Sequence, residues 1–261
     1  RHTNGVTIKA AACAESGKEY MFEGQKYYVA RDKDDIKQKI TTNAYPANRI
    51  VTTRVTDMQE LFKDNTTFNQ PIGSWDTSNV TNMATMFSNA RNFNQDIRYW
   101  DTSKVTRISN IFRDARAFNQ PLNSRDVSKV YDSYQMFLGA ENFNQPLNNW
   151  NTSNFTTLVW MFRDTKAFNQ NINDWDVRKV TDMRNMFTNA EKFNQPLNKW
   201  KLNSTVVMSQ MFYGADSFDQ PLDNWDIWPI PNENLKDAFI YAPLFSRTVI
   251  GQNGLQKNET L

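Results

Sequence analysis

The chain has 261 residues and a formal charge of +2, with 18 Phe, 10 Met, 8 Trp and 32 Asn but one histidine, one cysteine and eight glycines. His2 at the extreme N-terminus and a lone Cys13 allow no Ser-His-Asp or Cys-His constellation, no histidine-metal or zinc cluster and no intrachain disulfide. The glycines form no phosphate-cradling motif, the interleaved charges leave no nucleic-acid footprint, and no apolar run is long enough for a transmembrane helix.

Residues 1–50 read as an N-terminal cap. Val6-Thr7-Ile8 suits a strand, and Lys18 to Phe22 and Gln25 to Ala30 flank Glu23-Gly24 as a hairpin would. A short polar helix is expected over Asp32 to Ile40. Cys13 follows three alanines, but the polar stretch before it lacks the apolar region of an export signal, so it reads as a small buried thiol. The missing initiator Met points to a processed or truncated chain from which any such signal is already absent.

From Val55 a 25-residue period takes over. Phe-Asn-Gln starts at Phe68, Phe93, Phe118, Phe143, Phe168 and Phe193, with Phe-Asp-Gln at Phe218. A second Phe series runs from Phe62 to Phe212 at the same step. Trp75, Trp100, Trp150, Trp175, Trp200 and Trp225 form a third, with Arg125 in the vacant place. Such self-similarity marks stacked repeats. Phe239, Ala242 and Phe245 continue the pattern, displaced by two residues, as a degenerate C-terminal cap from about 232. A polar tail occupies 249–261.

Within a unit, Val80, Met83, Met86, Phe87 and Ala90 fall at helical spacing behind Asp76-Thr77-Ser78, which suits a helix cap. Phe93 to Ile97 alternates as a short strand would, although Pro at the fourth place of other copies limits its ladder. One helix and one strand per unit cannot close a core alone, so the units must stack. Gln70 to Gln220 and Asn69 to Asn194 then become amide rows that bond along the stack. The expected fold is an α/β repeat solenoid over residues 51–248. It would hold seven to eight helix-plus-short-strand units behind a hairpin-and-helix cap.

The unit from Trp75 to Gln95, W-D-T-S-N-V-T-N-M-A-T-M-F-S-N-A-R-N-F-N-Q, resembles the repeat of BspA-type leucine-rich-repeat bacterial surface proteins. The segments N-G-V-T-I-K and G-Q-K-Y-Y-V resemble stretches that precede such arrays. The resemblance implies a right-handed solenoid exported to the cell surface or medium, with adhesion or partner binding as its role. It carries no catalytic motif and no cofactor. Arg125, Tyr131 and Ser133 depart from the pattern in the third and fourth copies, and Lys201 and Thr205 in the seventh.

Function on a repeat scaffold sits where copies differ at the surface. Arg98, Tyr99, Arg125, Tyr131 and Tyr134 cluster near the junction of the third and fourth units, and Tyr and Arg are enriched at binding hot spots. The Trp row reads as core-edge packing, with Arg125 stacked between Trp100 and Trp150. Thr77, Thr102 and Thr152 are too interrupted by Val, Leu and Ile for an ice-binding row. Asp174 and Asp176 are close in sequence, but a catalytic pair needs environments that push two pKa values apart, and the regular capping row of Asp76, Asp101, Asp126, Asp176 and Asp226 gives identical ones. The expectation is a non-enzymatic extracellular or cell-surface interaction module for a protein or glycan partner, with no nucleic acid and with any anchoring supplied by parts outside this chain. The alternative is a structural spacer without a ligand.

Overall fold

The computed structural model describes residues 4–222, 224–238 and 240. The expected cap residues Phe239, Ala242 and Phe245 and the tail 249–261 lie outside them. No helix among the described residues is long and apolar enough to cross a membrane.

The N-terminal unit follows from its turn and cap chemistry. Glu23 and Gly24 adopt φ of 48° and 73°, the two positive angles that a tight hairpin turn requires. They join β1 (Glu19–Phe22) to β2 (Gln25–Val29) with Phe22 opposite Gln25. The Asp32 carboxylate accepts the Asp35 amide at 2.9 Å and starts α1 (Lys33–Thr41). Ile36 and Ile40 of α1 enter the same core as the repeats. A 3-10 turn, Ala47–Arg49, leads into β3 (Ile50–Val51), which pairs parallel to β2.

Two expectations fail in this region. Val6-Thr7-Ile8 forms no strand, because Asn4 Oδ1 captures the amides of Val6 and Thr7 at 3.0 and 2.9 Å. The segment instead crosses the first units, with Ile8 N donating to Ser74 O at 2.9 Å and Lys9 Nζ 3.6 Å from Asp76. Cys13 is exposed, and its neighbour Ala14 takes the buried place.

The helix-plus-strand unit is also corrected. Among the described residues no helix or extended strand lies between β3 and a 3-10 turn at Asn232–Leu235. Val80 to Ala90 runs as linked turns, with Met86 N on Met83 O (3.2 Å), Ser88 N on Thr85 O (3.1 Å) and Ala90 N on Phe87 O (3.0 Å). The alternate amides leave for the next unit: Met83 N to Arg107 O (3.0 Å), Thr85 N to Ser109 O (2.8 Å), Phe87 N to Ile111 O (2.9 Å) and Asn89 N to Arg113 O (2.6 Å). Thr85 and Asn89 hold φ of 62° and 57°, which no α-helix tolerates. A two-turn helix is marginal in isolation, whereas turns that donate outward are stabilised by every neighbour.

One-residue parallel bridges join the units in order: Asp57 to Asn82, then Arg107, Asp132, Thr157, Asp182 and Val207. The Phe-Asn-Gln segment makes no strand either, because the Asn94 amide bonds to the Asn69 side chain at 3.0 Å rather than to a carbonyl.

The apolar positions meet across these bonds. Each unit stacks its two Phe rings 3.7–4.2 Å apart, and equivalent Phe rings of successive units lie 5.4–6.1 Å apart. Every Trp of the row is buried and donates Nε1 to a carbonyl 28 residues earlier. For Trp75 that carbonyl is Ala47 O, so the 3-10 turn of the N-terminal unit serves the first repeat as each repeat serves the next. At the far end Phe212 N reaches Ala238 O, a step of 26 where earlier steps are 24, in register with the two extra residues before Asn232.

Candidate functional site

Each unit's run of linked turns presents two side chains between its Met positions. In each of the fourth and fifth units one of the two becomes a large aromatic. The row that reads Gln59, Ala84, Ser109, Val159, Arg184 and Ser209 elsewhere carries Tyr134, which is 37% exposed. The next row, Glu60, Thr85, Asn110, Gln135, Asn185 and Gln210, carries Trp160. The Tyr134 and Trp160 rings stack 6.2 Å apart at 27°, and Arg163 Cζ lies 5.0 Å from the Trp160 ring centre.

Hydrogen bonds fix the surrounding shell. Gln135 Nε2 donates to the Tyr134 hydroxyl at 2.8 Å, and Arg113 Nη1 donates to Gln135 Oε1 at 3.4 Å. Arg113, Arg163 and Arg184 pair with Asp114, Asp164 and Asp182, so the patch carries balanced charge around an aromatic centre. The hydrogen bond and charge of Asp182 favour the charged form of Arg184. Tyr131, 48% exposed, stands three residues before Tyr134 in the same unit.

Trp160 sits at φ 56°. A bulky side chain in the left-handed region is strained, and here the conformation belongs to the turn, since Glu60, Thr85, Asn110, Gln135, Asn185 and Gln210 share it.

The residues singled out from the sequence divide. Tyr134 belongs to this patch, and Tyr131 is exposed in the same unit. Tyr99 is 44% exposed and Arg98 pairs with Asp96 at 2.7 Å, both in the turn preceding Trp100. Arg125 is buried in the Trp row and is no surface ligand contact. Trp160, Arg163 and Gln135 were missed. Their signal was present: Trp160 is out of phase with the Trp row, in a place that other copies fill with short polar residues.

The remaining candidate rows are occupied by structure. Thr77, Thr102 and Thr152 donate their hydroxyls to carbonyls of the next unit. The Asp row accepts the amide two residues on, as Asp101 does from Ser103 at 2.9 Å. Asp174 pairs with Lys199 and Asp176 with Arg178, both at 2.7 Å, so these two carboxylates do not converge. A cleft of about 280 Å³ between α1 and the first unit is lined by three lysines (Lys33, Lys37, Lys63) and three carboxylates (Asp34, Glu60, Asp64).

Stacked units that bond through single bridges and share one core define a repeat protein. The sequence profile of the family described as "Mycoplasma protein of unknown function, DUF285" matches residues 27–150 and again 135–251. The chain belongs to that family. No curated protein matches the chain, and no solved structure does.

Proposed function

We propose that the protein is a non-enzymatic interaction module of the cell surface or extracellular space, a solenoid related to the BspA-type leucine-rich repeats, which binds a protein or glycan partner. One observation carries the reading: Tyr134 and Trp160 stack on adjacent units, at places where the other units put mostly small or polar residues. Aromatic and Arg side chains held by neighbouring bonds have the composition of a binding hot spot. The resemblance of the unit to surface-protein repeats supports the location.

The test is an array of glycans and extracellular matrix proteins probed with the wild type, Tyr134→Ala and Trp160→Ala. Retention of a partner by the wild type, weakened at least about tenfold in either variant, is expected for a hot spot. Binding that ignores both substitutions, or no binding at all, leaves the spacer reading, which the unbroken ladders of the stack also suit.

A further inference from the structure

Residues 4–14 cross the first units as a bound peptide would. Ile8 N donates to Ser74 O and Ala10 N to Thr53 Oγ1, both at 2.9 Å. Between them Lys9 Nζ lies 3.4 Å from Ser78 Oγ and 3.6 Å from Asp76 Oδ1. Arg54 Nη2 donates to the carbonyls of Ala12 and Ala14 at 3.2 and 2.7 Å.

Every group that holds this segment belongs to a row of the repeat. The places of Ser74, Asp76 and Ser78 are taken by Tyr99, Asp101 and Ser103 one unit on, and by Ser124, Asp126 and Ser128 two units on. Relative to Asp126, Ser103 and Lys104 stand where Thr53 and Arg54 stand relative to Asp76. The segment leaves Asp76 only 2% exposed, whereas Asp101 and Asp126 are exposed and form no ion pair among the described residues. The carbonyls of Tyr99 and Ser124 correspond to the one that accepts Ile8, and they accept no hydrogen bond among the described residues. The row then ends, because Asn151 lacks the charge and Arg178 takes up Asp176 at 2.7 Å.

We propose that Asp101 and Asp126 dock an extended, lysine-bearing segment of a partner polypeptide, seated on their units as residues 8–10 are seated on the first. The bound copy gives the register. One amide donates to the carbonyl ahead of the Trp row, the next residue's ammonium meets the carboxylate, and the following amide reaches a hydroxyl of the preceding unit. Main-chain bonds of this kind select an extended shape, and the carboxylate selects the cation.

Fluorescence anisotropy of the full chain with a labelled peptide of residues 4–14, carrying Cys13→Ser, tests this. Asp101→Asn and Asp126→Asn together preserve the turns, since Asn151 fills the same place and accepts the Ser153 amide at 3.2 Å. Saturable binding by the wild type is expected, weakened about threefold or more by this double variant and equally by Lys9→Ala in the peptide. The Ile8 amide of the chain should keep its protection against hydrogen exchange while the peptide is bound. No saturable binding, or binding indifferent to both changes, would overturn the proposal. So would loss of the Ile8 protection, which places the peptide on Asp76 in exchange for the chain's own segment. Self-association of the chain alone that disappears in the double variant would give the row to a second copy instead. None of these readouts involves Tyr134 or Trp160.

Discussion

Arg125 and Trp160 depart from their rows in opposite directions. The first puts a charge where the stack expects an indole, and the second puts an indole where it expects a short polar side chain. Replacing a buried charge by a well-packed apolar group is often stabilising by about 1–4 kcal/mol. Arg125→Trp should therefore raise stability by that order, as read by urea unfolding, since it also fills the cavity beside Trp100 and Trp150. Trp160→Asn should relieve a left-handed strain of about 1 kcal/mol, leaving stability unchanged or higher while partner binding falls. A third residue governs acid response. Burial pushes the Asp35 carboxyl up, but hydrogen bonds from Arg31 and Tyr28 outweigh it and hold the group below its ordinary value of 3.8. A depressed carboxyl contributes stability above its unfolded pKa and loses it as pH falls through the folded one. Protection of the β2 amides against hydrogen exchange should thus decline below about pH 4, and Asp35→Asn should flatten that decline.

Among elements, the amide row holds the turns of successive units together. Asn144 Oδ1 accepts both the Asn169 amide and Gln170 Nε2, each at 2.9 Å, and its own amide donates to Asn119 Oδ1 at 3.0 Å. Asn144→Ala removes the acceptor from two donors and should cost about 1–3 kcal/mol. Asn144→Asp keeps the acceptor, as Asp219 keeps the place at the end of the row, and should cost less; denaturant midpoints of the two variants decide. The N-terminal hairpin and α1 were legible because their determinants are local: Glu23-Gly24 for the turn and Asp32 for the cap. The helix expected over Val80 to Ala90 was not. Its apolar spacing of three and four residues also suits linked turns, in which every fourth residue takes positive φ. Asn89, Asp114, Asp164, Asn185 and Asn189 occupy such positions, with Gly139 and Gly214. Part of the Asn content thus serves turns, a use that periodicity alone does not distinguish from a helix.

Across the whole molecule the 25-residue phase was legible because every stacking contact repeats at it. The surface patch was only half legible. Tyr131 and Tyr134 stood out as departures, but Trp160 joins them only through a bond pattern that brings residues 26 apart in sequence side by side. Tyr99 is as exposed as they are but lies in the turn before Trp100, so grouping by unit number misplaced it. Because contacts run mainly between neighbours, stability should be close to a sum over units and their interfaces. Deleting residues 101–125 joins Trp100 to Asp126 in phase and should give a folded, shorter protein of lower stability. A deletion displaced by half a unit in length should not fold, and the circular dichroism and unfolding cooperativity of the two deletion variants separate the outcomes.

The Trp row has an optical consequence. Trp75 and Trp100 lie 6.2 Å apart with planes 2° from parallel, Trp150 and Trp175 lie 6.1 Å apart at 5°, and Trp200 and Trp225 lie 6.2 Å apart at 5°. Chromophores this close and aligned exchange excitation, and the non-absorbing Arg125 interrupts the line between Trp100 and Trp150. Excitation that begins near the N-terminal unit therefore meets, after Trp100, a step of two units where the others are one.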